Sequence, residues 1–308
     1  MGQKGTALVI VLWVVALLSM VSLGFSKSMS LESRSTGNLL AAARDQYHAE
    51  AGLNQALLVL LQMRQGQMRQ VQAQHQFPWH ADGQVRQMQY KDSQLSVSVL
   101  DERARIDLNY APVVLLQSLL VNAGVSEAKS TELAHAIADW RDSDHVAHAQ
   151  GAEDDAYAAS GLDYGAKDAP FQSVAELLLV RGMTTQVYHS VQDSLTVYSG
   201  QSMVSSQYAS EQVRRAMHSV GLSVSQAAVK SLTATNVVSI TSALTQPHAV
   251  EQSRNGSSTG TMVTRGGIKA VVRLHGAPQW SYSVLEWQPL AKPCLIIANR
   301  FNCNEYES

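Results

Sequence analysis

The chain has 308 residues, 16% of them charged, with a formal net charge of -2 and a pI near 6.5. That length accommodates a membrane segment plus one large or two modest domains, each burying its own core. The charge balance lacks the basic excess that phosphate backbones require, which argues against nucleic-acid binding.

The first element in chain order is the run from Thr6 to Phe25 (TALVIVLWVVALLSMVSLGF), 20 positions without a charged side chain. As a helix it is roughly 30 Å long, which matches the hydrocarbon core of a bilayer. Three readings of it differ in where the chain is cut. A secretory signal would be cut after the apolar core, where Ser22-Leu23-Gly24 offers a poor small-residue site. An uncleaved anchor fits the same apolar length, with Lys4 and the free amino terminus holding the N-terminal side in the cytoplasm. In the third reading, the short basic leader Met1-Gly2-Gln3-Lys4-Gly5 abuts the apolar run without a polar spacer and ends in glycine. This arrangement resembles the type III signal of type IV pilins and type II secretion pseudopilins. The resemblance implies cleavage between Gly5 and Thr6 on the cytoplasmic side, N-methylation of Thr6, and retention of the apolar helix. Residues 1–5 are then a leader and residues 6–25 the transmembrane part of a longer helix.

Beyond Phe25 no proline occurs until Pro78, and Leu31, Leu39, Leu40, Ala43, Tyr47, Ala51, Leu53, Leu57, Leu58 and Leu61 recur at helical spacing. The spacing predicts one helix from about Thr6 to Arg64, the first half in lipid and the second packed on a soluble body. The Gln-rich stretch from Gln65 to Gln89 reads as a polar connection. Leu95-Ser-Val97-Ser-Val99 alternates with period two, as a half-buried strand does. Matching strand patterns return only at Val237–Ala243, Ile268–His275 and Trp280–Trp287, the last two joined by a turn at Gly276-Ala277-Pro278-Gln279. Gln246 to Gly260 is polar and Ser/Gly-rich, and reads as a loop.

The middle of the chain reads as helical. Asn109 is placed to cap a helix over Pro112–Val121, Ser126 one running to Trp140, and Ser173-Val-Ala-Glu176 forms a capping box opening Val174–Arg181 before Gly182. Thr185–Leu195, Ser210–Val220 and Ser223–Leu232 complete the set. A strand at Leu95 needs partners, so residues 107–232 read as a helical module inserted between two parts of one strand-bearing body, 26–106 and 233–308. A weak internal repeat, Ile106-Asp-Leu-Asn-Tyr-Ala with Gly124-Val-Ser126 against Val204-Ser-Ser-Gln-Tyr-Ala with Gly221-Leu-Ser223, has the shape of paired helix-hairpin-helix units. The first turn, Asn122-Ala123-Gly124, lacks a second glycine and nearby cations, so the pair reads as packing units and not as a phosphate grip.

The densest polar cluster is Asp139-Trp-Arg-Asp142-Ser-Asp144-His145, followed by Gly151-Ala-Glu153-Asp154-Asp155 and then Asp163 and Asp168. Hard oxygen ligands at a helix end and on a loop suit calcium, and Asp142, Asp144, Glu153, Asp154 and Asp155 are the expected ligands; a solvated acidic loop is the alternative. The spacing is not that of an EF-hand. His145 and His148 lack a third nitrogen or sulfur ligand for zinc at a telling spacing. No nucleophile elbow or phosphate-binding glycine loop occurs, so catalysis is not expected. The two cysteines, Cys294 and Cys303, would pair in an oxidising compartment and staple the tail, at about 2 to 3 kcal/mol for so short a loop; two unrelated buried thiols are the alternative.

Taken in order, Lys4-Gly5 before the apolar helix, Tyr47-His-Ala-Glu-Ala-Gly52, Asp107-Leu-Asn109-Tyr-Ala-Pro112, Asp139-Trp-Arg-Asp142, Gly151-Ala-Glu153-Asp154-Asp155, Leu177-Leu-Leu-Val-Arg-Gly182 and Tyr282-Ser-Val-Leu-Glu-Trp287 resemble the K-type minor pseudopilins of type II secretion systems over nearly the whole chain. Ser206 and Gln207 depart from that pattern in the second repeat. Counting Thr6 as the first mature residue, the fifth is Ile10, where most pilins and pseudopilins carry glutamate; K-type members resemble this chain there.

The resemblance implies an α+β fold, a pilin-like long N-terminal helix packed on a small antiparallel sheet with a large inserted all-α (helix-hairpin-helix, SAM-like) domain. It implies a non-enzymatic subunit that caps or nucleates the tip of a pseudopilus and promotes export of folded proteins across the outer membrane. The implied cofactor is calcium. The implied partners are the I- and J-type minor pseudopilins, the major pseudopilin, the prepilin peptidase and the inner-membrane assembly platform, with one span of the inner membrane, the N-terminus cytoplasmic and the bulk periplasmic. Other readings are a minor pilin or tip subunit of a related type IV filament, for adhesion or DNA uptake, and an anchored periplasmic receptor or enzyme.

Overall fold

The computed structural model describes residues 4–64, 80–205, 207–222, 236–247, 262–275, 282–290, 293–297 and 299–303. Helix α1 runs unbroken over Lys4–Arg64, 61 residues. It is long and apolar enough to cross a membrane, with an 18-residue window of mean hydropathy 2.7 in which nothing is buried against the rest of the protein.

The second half of α1 behaves differently because it meets a sheet. Ala49, Leu53, Ala56, Leu57, Leu60 and Met63 are buried against Leu95, Val97, Val99, Val238, Ile240, Ile268, Ala270 and Val272. Each such aliphatic removed from water contributes roughly 1.5 to 3 kcal/mol before chain entropy is set against it. Gly52 allows the close approach: a Cβ there would lie 2.4 Å from Ser242 Oγ and 3.0 Å from Leu95 Cδ1. The packed face is narrower than helical spacing predicts, since Leu31, Leu39, Leu40, Tyr47 and Leu58 remain exposed. The helix end is tied down by Arg64, which donates to the Leu274 carbonyl at 2.7 Å and to Asn236 Oδ1 at 2.9 Å.

The sheet is antiparallel, ordered β1 (Asp82–Tyr90), β2 (Ser93–Asp101), β5 (Val237–Pro247), β6 (Met262–Leu274), β8 (Leu295–Ile297) and β9 (Arg300–Asn302); β7 (Tyr282–Pro289) pairs with the other half of β6. β1 corrects the expectation of a polar connection through Gln89. It is an edge strand in which only Val85 is buried and Gln87 and Gln89 stand in solvent, which leaves little apolar alternation to read. β5 likewise extends to Pro247, past the expected loop start at Gln246. The turn at 276–279, the loop after Pro247 and the helix expected at 223–232 fall outside the described residues.

Between β2 and β5 lie α2 (Val113–Asn122), α3 (Glu127–Arg141), α4 (Asp154–Ala159), α5 (Thr185–Val191) and α6 (Glu211–Ser219), with 3-10 turns at Val174–Leu179 and Gln192–Ser194. They share a core distinct from that under α1, built on Leu115, Leu119, Leu133, Trp140, Tyr157 and Met217. β3 (Ile106–Asp107) and β4 (Leu195–Thr196) pair in parallel, Ile106 opposite Leu195, and so pin the entry of this segment to a point late in it. The two ends of the weak repeat are built alike. Gly124 and Gly221 take φ of +90° and +69°, and the next residue donates back five positions, Val125 to the Leu120 carbonyl and Leu222 to Met217, each at 3.1 Å.

Several caps differ from expectation. α2 begins at Pro112 with no side-chain cap, because Asn109 is used elsewhere: its Oδ1 accepts from the Phe171 N–H at 2.7 Å and its Nδ2 donates to the Phe171 carbonyl at 3.0 Å. Ser126 precedes α3 without a side-chain hydrogen bond. Glu176 does accept from the Ser173 N–H, at 3.2 Å, but the segment it opens is a 3-10 turn ending at Leu179, and the helix expected to reach Leu195 ends at Val191.

Candidate metal centre

α3 ends in a run of acids whose fates diverge within one turn. Asp139 is fully buried and spent on its own loop: it accepts from the His148 N–H at 3.1 Å, the Ala152 N–H at 2.6 Å and His148 Nδ1. Gly151 is required beside it, since a Cβ there would lie 1.7 Å from Asp139 Oδ2. Arg141 leaves the cluster and clamps the Leu108 and Ala111 carbonyls. Asp142 and Asp144 follow the helix end, and Asp144 Oδ1 accepts from the Val146 N–H at 2.9 Å.

Glu153, in the N-cap position of α4, points back at this run. It is only 8% exposed, yet both carboxylate oxygens are buried with no hydrogen-bond partner; Asp142 Oδ1 and Asp168 Oδ1 are buried and unpartnered as well. Three sets of ligand atoms lie within 4.8 Å of one another: Asp142, Asp144 and Glu153; Asp139, Asp142 and His148; and His145, Glu153 and Asp168. His145 Nδ1 also approaches Asp168 Oδ2 at 3.1 Å. Burial, followed by the charges of Asp139, Asp168 and Asp142, pushes the Glu153 carboxyl up to about 7. Burial and then Asp144 and Asp139 push Asp142 up too. Carboxylate oxygens crowded together, several of them buried without a partner, fit a hard divalent cation, which is bound by six to eight oxygens.

The structure thus brings together three of the five expected ligands. Asp154 and Asp155 are exposed on the first turn of α4. Asp154 accepts from the Ala166 N–H at 3.1 Å, against Gly165, whose Cβ would lie 1.8 Å from its Oδ1. Asp168, which sequence spacing did not single out as a ligand, completes the wall from a left-handed turn at φ +51°. Behind the cluster Trp140 packs on Tyr157 and Phe171, with ring centroids 5.9 and 6.2 Å apart, and holds the loop from the apolar side.

Cys294 and Cys303 are disulfide-bonded across the β8–β9 hairpin. Ile10 is 63% exposed on the free half of α1, and Gly5 and Thr6 lie in its first turns.

A helix long and apolar enough to cross a membrane, continuing onto an antiparallel sheet, defines an α+β protein. Residues 94–200 match the family model of type II secretion system protein K. Type II secretion system protein K of Klebsiella pneumoniae is 25% identical over 199 residues, 60% of this chain and 60% of that one. The Pseudomonas aeruginosa protein K is 29% identical over 200 residues, 58% of each. The aligned part thus spans about 60% of the length of these relatives. A solved GspK-GspI-GspJ complex from the enterotoxigenic Escherichia coli type 2 secretion system contains a chain with 17% identity and a TM-score of 0.49, covering 84% of this chain and 99% of that one. The sequence matches thus make this chain similar to type II secretion system protein K, most directly over residues 94–200.

Proposed function

We propose that the chain is a non-enzymatic minor pseudopilin that caps the tip of a type II secretion pseudopilus and promotes export of folded proteins across the outer membrane. The observation that carries this is α1: one helix with a bare apolar half, residues 8–25, and a half packed on the sheet, joined without a break. Such a helix is built to pack against like helices in the bilayer, spanning the inner membrane once with the body in the periplasm. Cleavage after Gly5 by the prepilin peptidase leaves an ammonium on Thr6. Glutamate at the fifth mature position could neutralise a neighbour's ammonium in an apolar setting, where an unpaired charge is costly. Ile10 cannot do this, which suits a subunit with no neighbour above it.

The segment between β2 and β5, with its own core and its repeated glycine ends, is read as an inserted all-α domain of helix-hairpin-helix type whose bulk blocks addition above the tip. Its partners on this reading are the I- and J-type minor pseudopilins, then the major pseudopilin and the assembly platform. Calcium, held by Asp142, Asp144 and Glu153 with Asp168 beside them, supplies the positive charge the buried carboxylates lack and braces the acidic loop. Deleting the gene should abolish secretion of the exoproteins while leaving them folded in the periplasm. Intact secretion, with adhesion or DNA uptake lost instead, would assign the chain to a related type IV filament.

A further inference from the structure

The sheet has a second face, turned away from α1, and its two ends meet. The Val85 N–H on β1 donates to the Asn299 carbonyl beside β9 at 2.8 Å, Asn299 Nδ2 donates to Gln84 Oε1 at 2.8 Å, and Arg300 donates to the Asp82 carbonyl at 3.3 Å. The curled sheet and the underside of the helical segment enclose a cavity of about 230 Å³. Its floor carries the hydroxyls of Ser98, Ser239 and Thr241, and its apolar wall is Leu100, Leu290 and Phe301.

Three cations line this cavity, Arg105, Lys269 and Arg300, against one acid, Asp193. Arg105 is neutralised by Glu102 at 2.5 Å and also donates to the Asp193 carbonyl at 3.1 Å. Lys269, in the middle of β6 opposite Thr241, makes no hydrogen bond or ion pair among the described residues. Burial, then the charge of Arg105, pushes its ammonium pKa down, with Glu102, Asp193 and Glu286 opposing. Glu102 sits against Arg105 and Arg300 donates to the Asp82 carbonyl, so Lys269 is the lining cation left without a hydrogen-bond acceptor among the described residues.

We propose that this cavity binds a single carboxylate carried on a short apolar stem, with Lys269 as its counter-ion, the sheet hydroxyls as further donors, and Leu100, Leu290 and Phe301 around the stem. A carboxylate supplies the acceptor that the Lys269 ammonium lacks, and a hydroxyl-lined floor beside an aliphatic and aromatic wall matches a carboxylate with a hydrocarbon tail. The carboxylate can belong to a free short-chain acid or to the terminal residue of a peptide. The site is separate from the acidic cluster, and it stands or falls independently of the filament-tip reading.

The test uses the full chain in detergent micelles, titrated with butyrate and with N-acetyl-leucine against sodium chloride at equal ionic strength. Saturable binding of either is expected; butyrate alone points to a free acid, and tighter N-acetyl-leucine points to a chain terminus. Lys269→Met should weaken binding about tenfold or more, as loss of a charged hydrogen-bond partner does, while Lys269→Arg retains it. Should Lys269→Met fail to fold, movement of the Lys269 side-chain ¹⁵N signal of the wild-type chain with butyrate reads the same contact. No saturable binding of either carboxylate, unchanged binding in a folded Lys269→Met, a Lys269 signal that stays still, or binding of inorganic phosphate in their place would overturn the proposal.

Discussion

Glu153 sits where two demands conflict: the fold buries its carboxylate, and neighbouring acids oppose its ionisation. Its pKa stands near 7 in the folded chain, against the ordinary 4.5. The ion-free fold therefore holds this proton more tightly than the unfolded chain, and the associated stability is present below about pH 4.5 and lost as pH rises through about 7. Thermal melts in chelator should fall across that window. Calcium should remove the fall and, at free ion about 100-fold over Kd, raise stability by about 2.7 kcal/mol. Glu153→Gln should flatten the chelator profile and lose the calcium response; a calcium shift equal to wild type in that variant would remove Glu153 from the site. At Gly52 the effect is steric. Gly52→Val drives a branched side chain onto Ser242 and Leu95, and should cost about 1 to 3 kcal/mol in the melt of the soluble body. A variant as stable as wild type would mean that α1 does not press on β5 there.

At the scale of elements, the β8–β9 hairpin holds the sheet edge that reaches β1, and Cys294–Cys303 closes it. Replacing both cysteines by serine should lower stability by about 2 to 3 kcal/mol in non-reducing denaturant melts, an amount set by the short loop. Equal stability of the serine variant and the oxidised wild type would show that the bridge does not constrain the unfolded chain. How legible each element was follows from its physics. α1 and β2 carry a periodic apolar pattern over a long or fully buried stretch, so their spacing alone places them. β1 is half wet and Gln-rich, and its strand identity comes from hydrogen bonds to β2 that leave no trace in composition. Asn109 carries an ordinary N-cap signal, but its bonds go to Phe171, 62 positions away. The acidic cluster was legible as a run of acids at a helix end, and Asp142, Asp144 and Glu153 converge. Asp168 was not singled out because its approach depends on a left-handed turn at a non-glycine residue, and Asp154 stands apart from the three because its Oδ1 accepts from the Ala166 N–H.

For the whole molecule, one helix unites two environments. Its first half is exposed among the described residues, and its second half forms the base of a sheet that carries, on its far side, a helical segment with a core of its own. On the proposed reading, the bare half would meet other subunits in the bilayer, and the body would carry the bulk and charge outside it. The loss of a carboxylate at Ile10 has meaning only if the mature chain begins at Thr6. The direct test is therefore the intact mass and N-terminal sequence of the protein extracted from membranes. The account predicts a chain lacking Met1 to Gly5, beginning at Thr6 and carrying one added methyl group. A chain that retains Met1 to Gly5, or one that begins beyond Phe25, would contradict it.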